Sequence, residues 1–120
     1  MYKLEDTEIF QMFGGYLHQD WLYDYGWKES YHFDTDSDKY PHFSLAIRTY
    51  AREASFKRLV QAITELQELV NEDHMEEHLE VYVFDELGIY VLPETWNLNH
   101  QEFLVEVLQI LKQEANKIAR

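Results

Sequence analysis

His74-Met75-Glu76-Glu77-His78 carries the His-x-x-Glu-His spacing of one class of zinc peptidases. On a helix it sets two imidazoles one turn apart, as a zinc site requires. A working site would also need a third protein ligand and a peptide cleft, and peptidases with this motif are far larger chains. The sequence therefore favours a solvated, acidic helix start over a metal centre. Asp34, Asp36 and Asp38 echo the first three ligand positions of a calcium loop. That loop then requires Gly and later Glu where this chain has Lys39 and Leu45. His18 and Asp20 suggest an acid–base pair, but side chains two positions apart on a helix point in different directions. No neighbouring Ser or Lys offers a nucleophile, and no Gly-rich loop could cradle phosphate. The expectation is a protein that catalyses nothing and holds no metal or cofactor.

The more telling chemistry is that of contact. The chain has 9 Tyr, 7 Phe and 3 Trp, and many of these rings alternate with carboxylates in the first third. Rings that anchor, beside carboxylates that meet Arg or Lys, are the usual chemistry of tight protein interfaces. Asp20, Asp24, Trp27, Glu29, Tyr31, Asp34, Asp36 and Asp38 form the first candidate contact surface. Glu76, Glu77 and Glu80, within an acid block from Glu72 to Glu86, form the second.

Charge points the same way. The net charge is −13, and residues 72–102 contain nine acids with no Lys or Arg, while residues 1–40 contain nine acids and three bases. Blocks of this kind repel nucleic acid and anionic membrane and attract a basic protein. Dispersed acids would serve solubility as well. The chain has no cysteine, which excludes disulfides and thiolate metal sites and fits a reducing cytoplasm. Acidic residues arrive too early for a secretory leader, and no apolar run approaches the roughly 20 residues needed to cross a bilayer. At 120 residues the chain is read as one domain spanning 1–120.

These residues must be positioned by helices. With 4 Gly and 2 Pro there is little room for linkers. A first helix is predicted over Thr7 to Tyr16, ending at Gly14-Gly15 or running on through Trp21 and Leu22. Asp24 to Pro41 reads as loop with one helical turn. Phe43, Ala46, Ile47, Tyr50 and Ala51 repeat at helical spacing. Ser55 stands as an N-cap before a helix whose apolar stripe is Phe56, Leu59, Val60, Ile63, Leu66 and Val70. Residues 74–92 allow either a helix ending at Gly88 or a hairpin across Val81–Phe84 and Ile89–Leu92, and a helix is preferred. Asn99 and Glu102 spell a capping box for a last helix that buries Phe103, Leu104, Val107, Leu108, Ile110 and Leu111. The expected fold is mainly α: a compact single-domain bundle of four to six helices, with room for one short hairpin near 80–92.

Two segments carry a family likeness. Tyr16-Leu17-His18-Gln19-Asp20-Trp21 resembles the Tyr-Phe-His-Gln-Asp-Trp signature near the start of one family of bacterial contact-dependent growth inhibition (CdiI-type) immunity proteins. Glu86-Leu87-Gly88-Ile89-Tyr90, then Pro93 and Glu102-Phe103-Leu104, resembles that family's Leu-Gly-x-x-Tyr-x-Pro stretch leading into a final helix. Leu17 and Phe103 stand where the family has Phe and Trp, and residues 28–42 match nothing in it. The resemblance implies an immunity protein that binds the toxic C-terminal domain of a cognate effector in the bacterial cytoplasm and blocks it by occlusion. Toxin domains of this kind are often basic nucleases. It also implies that Tyr16, His18, Gln19, Asp20, Trp21, Gly88, Tyr90 and Pro93 are shared scaffold, with Asp20 capping a following turn and His18 tying the first helix to a later one. The other reading is an acidic helical adaptor that binds a basic protein outside any toxin system. The sequence leaves oligomeric state open.

Overall fold

The structure, a computed structural model, describes residues 7–18, 20–32, 35–71 and 93–118. The helix-or-hairpin question over 74–92 lies outside the described residues, as do the His74–His78 spacing, Gln19, Asp34, Glu76, Glu77, Glu80, Gly88 and Tyr90.

Among the described residues five α-helices run α1 Glu8–Tyr16, α2 Trp21–Asp24, α3 Ser44–Glu53, α4 Phe56–Asn71 and α5 His100–Ile118. Single 3-10 turns lie at Ser37–Lys39 and Pro93–Trp96, and there is no strand among the described residues. The mainly α expectation holds. Helix α1 touches α3 and α4, and α5 touches the same two, so the four longer helices close a ring around one core.

The four longer helices each start where a side chain accepts from orphan N–H groups. The Thr7 hydroxyl accepts the Phe10 N–H at 3.2 Å. The Glu65 carboxylate reaches across from α4 to accept the Ile9 N–H at 2.9 Å. His42 caps α3, its Nδ1 accepting the Ser44 N–H at 3.1 Å. Ser55 caps α4 as its position predicts, accepting the Arg58 N–H at 3.3 Å. The capping box of α5 is reciprocal: Asn99 Oδ1 accepts the Glu102 N–H at 2.7 Å, and Glu102 Oε1 accepts the Asn99 N–H at 2.9 Å.

Helix α1 continues through Gly14-Gly15 and stops at Tyr16, where the Leu17 N–H bonds the Phe13 carbonyl. The chain then starts afresh in α2 rather than running on through Trp21. In α4 the buried stripe is Leu59, Ala62, Leu66 and Leu69, with Ile63 and Val70 at its edge and Phe56 and Val60 exposed. That corrects the predicted stripe. Leu59, Ala62, Leu66 and Leu69 follow the 3.6-residue period closely, and Val60 lies about 100° round the helix from Leu59. All six apolar residues predicted for α5 are buried.

Candidate functional site

Helix α2 is a single turn pinned by one residue. Trp21 is completely buried, with its ring 6.2 Å from Tyr25 and 6.1 Å from Tyr40. Burying a ring of this size stabilises the fold by about 3 kcal/mol. With Trp21 inward, Asp20, Tyr23 and Asp24 face solvent, and Tyr23 is 53% exposed. The turn closes at Gly26, whose φ of 106° favours glycine. There the Trp27 N–H bonds back to the Leu22 carbonyl at 2.9 Å, in the manner of a Schellman cap.

His18 holds this turn in place. Its Nδ1 accepts the Asp20 N–H at 3.1 Å, which leaves Nε2 to carry a proton toward Asp24 Oδ2, 3.2 Å away. Among the described residues His18 therefore ties the end of α1 to α2, the next helix along the chain. Asp20 occupies the N-cap position of α2 but its side chain makes no cap hydrogen bond, against the expectation that it would.

The loop that follows is an aromatic stack. Trp27, 4% exposed, lies edge-on to Tyr31 at 5.2 Å and to Tyr40 at 5.6 Å. Tyr40 meets Trp96 at 5.6 Å, Trp96 meets Phe43 at 5.0 Å, and Phe43 meets Phe103 at 4.8 Å. Contacts between aromatic edges and faces thus run from the loop into the core. Trp27 belongs to this stack and has little surface to offer, whereas Tyr31 is half-buried with Lys39 Nζ 4.7 Å from its ring centre.

Asp36 turns into its own loop. It accepts the His32 N–H at 2.9 Å and pairs with Lys39 Nζ at 3.2 Å. The His32 N–H, then Lys39, hold its carboxyl below the usual range. Glu29 and Asp38 are exposed. Among the described residues, no cation lies in ion-pair range of Asp20, Glu29 or Asp38. The structure thus brings Asp20 and Asp24 together on one turn beside Tyr23, which the sequence reading left out of its site. The signal for Tyr23 was its place between those two acids, one helical turn on from Asp20.

Tyr16 donates to the Glu53 carboxylate and meets the Tyr50 ring edge-on at 5.5 Å. Burial, then Glu53, pushes its phenol up to about 12. Tyr50 donates to Glu8 at 2.8 Å, a carboxylate that Arg58 also holds at 2.9 Å. Burial, then Glu8, raises the Tyr50 phenol further still. Pro93 is buried at the start of the turn that delivers Trp96 to the stack. Among the described residues no three His, Asp or Glu side chains gather to hold a metal, and no helix is long and apolar enough to cross a membrane.

The family model of the CdiI immunity protein matches residues 6–111. The chain belongs to the CdiI immunity protein family. No curated protein and no solved structure matches it. As a CdiI immunity protein it is a toxin-neutralising protein whose partner is a cognate toxin. The match takes in both segments that carry the likeness, residues 16–21 and 86–104. Within the segment 16–21 the structure buries Trp21, half-buries Tyr16, ties His18 to α2 and leaves Asp20 exposed.

Proposed function

We propose that this immunity protein meets its toxin through Asp20, Tyr23 and Asp24 on α2, extended by Glu29 and Asp38 on the following loop. The toxin is the C-terminal domain of a contact-dependent effector, a basic nuclease, and the immunity protein acts in the bacterial cytoplasm by covering it. It works as one domain over 1–120 and catalyses nothing. The carrying observation is the display on α2. A turn anchored by fully buried Trp21 and tied by His18 presents two carboxylates and an exposed ring. Groups held this way lose little freedom on binding. Exposed acids steer a cationic partner into encounter, and a pre-placed ring slows its departure. Glu76, Glu77 and Glu80 add a second acidic surface on this reading.

The test is co-expression with the toxin domain encoded beside the gene. The native protein should protect cells and co-purify with that domain. The variant Asp20→Lys/Tyr23→Ala/Asp24→Lys should fold but associate at least about tenfold more slowly at low salt. An unchanged on-rate would move the interface off α2. A toxin domain that is acidic, or that kills despite stable expression, would leave the adaptor reading in its place.

A further inference from the structure

One part of this acidic protein is cationic. Glu114 of α5 is 4% exposed, and a buried carboxylate needs a partner. Arg48 of α3 supplies one, its Nη1 hydrogen-bonded to Glu114 Oε1 at 3.4 Å. Two more cations converge on the same group, Arg52 Nη2 at 3.8 Å and Lys117 Nζ at 3.5 Å. Their side chains are 69% and 64% exposed, and exposed pairs at such distances add little stability. Among the described residues, none of the three cations is in ion-pair range of another carboxylate. One negative charge against three positive ones leaves a surplus of two.

Two of the large apolar side chains that remain exposed lie beside this cluster. Leu45, 45% exposed, is seven residues before Arg52 in α3, nearly in line with it along the helix. Ile118, 49% exposed, is one turn beyond Glu114 in α5. Glu114, Lys117 and Ile118 also fall beyond the residues matched by the family model.

We propose that Leu45, Arg48, Arg52, Lys117 and Ile118 form a second docking face, for an acidic protein segment that alternates carboxylates with aliphatic side chains. The cations would receive the carboxylates, and Leu45 and Ile118 would cover the aliphatic groups. Nucleic acid fits less well. A phosphate chain would extend into the field of a molecule carrying −13, and it offers nothing for the two aliphatic side chains to cover. The inference stands apart from the α2 surface and uses none of its residues.

The test uses the full chain, isotope-labelled, titrated with the synthetic peptide Glu-Leu-Glu-Glu-Leu-Glu and with its Gln-Leu-Gln-Gln-Leu-Gln counterpart, read by amide chemical shifts. The acidic peptide should move the signals of Leu45, Arg52 and Ile118, and the amide version should not. Arg52→Glu/Lys117→Glu, which keeps Arg48 on Glu114, should weaken that response by about tenfold or more while leaving toxin association unchanged. Leu45→Ser should also weaken it, with its fold verified by circular dichroism. The proposal is overturned if the acidic peptide leaves these signals still, if both peptides act alike, if an RNA oligonucleotide shifts the same signals more strongly, or if the face proves to be a contact between copies of the chain by sedimentation.

Discussion

At the scale of single residues, His42 does the work of a helix cap. Its Nδ1 accepts from the Ser44 N–H and lies 2.8 Å from the Ser44 hydroxyl, and one ring face stacks on Phe43 at 4.5 Å. Desolvation holds the imidazole below its ordinary 6.5, outweighing the pull of Glu106 in the other direction, and Arg48 adds to the lowering. A proton on Nδ1 would remove the acceptor, so the neutral form is the one the fold uses. The unfolded chain takes up its proton first as pH falls. The stabilisation by His42 is therefore present above 6.5 and lost as pH drops through the folded value. Denaturant melts of the native protein and His42→Gln should differ most near neutrality and converge in acid; parallel curves would remove His42 as the cause. Tyr16 has the opposite sign. Its folded phenol titrates at about 12 against an ordinary 10.0, so its contribution is full below 10 and lost between 10 and about 12. Tyr16→Phe should be less stable at neutral pH and lose less stability in alkali, while Tyr50 keeps part of that alkaline limb in both proteins. Neither role was legible in the sequence. Glu53 is 37 residues from Tyr16, and only the packing of α1 on α3 brings them together.

At the scale of elements, local signals specify helix ends well and helix register less well. The Asn99–Glu102 box, the Ser55 cap and the α5 core face were legible because each depends on residues within a turn or two. The α4 stripe is not legible in sequence because Phe56, Val60 and Ile63 are as apolar as Ala62 and Leu69. Which of them turns inward depends on where α1 and α5 lie. The break between α1 and α2 was also ambiguous in sequence, since two glycines weaken a helix without stopping it. What fixes the restart is tertiary: Trp21 entering the core. The geometry of α2 should therefore be sensitive at Gly26. A Cβ there meets no atom within 4 Å, so Gly26→Ala carries only the backbone cost of a positive φ, about 1–2 kcal/mol. Urea melts should show that loss, and toxin association should weaken as Asp24 and Tyr23 lose their placement. A variant of native stability would mean that the turn re-forms without glycine. Asn99→Ala should cost about 1 kcal/mol through the lost cap, with toxin association unchanged because Asn99 is not among the proposed contact residues.

At the scale of the whole molecule, acidity has two opposing consequences. A charge of −13 on 120 residues is a self-repulsion that the folded state concentrates and the unfolded chain relieves. On the proposed reading, the same charge draws a cationic toxin inward from beyond contact. Screening weakens both, since the Debye length falls from roughly 30 Å at 0.01 M salt to roughly 8 Å at 0.15 M. Local pairs such as Arg58 with Glu8 at 2.9 Å also weaken, but exposed pairs are worth little, so the repulsion dominates. Raising salt over that range should therefore raise the melting temperature of the free immunity protein while it slows association with the toxin. Thermal melts and stopped-flow binding across one salt series read the two effects on the same sample. A melting temperature that fell with salt would show that ion pairs, such as those gathered around Glu114, outweigh the net charge. An on-rate indifferent to salt would detach recognition from the acidic surface, leaving the aromatic side chains to account for it alone.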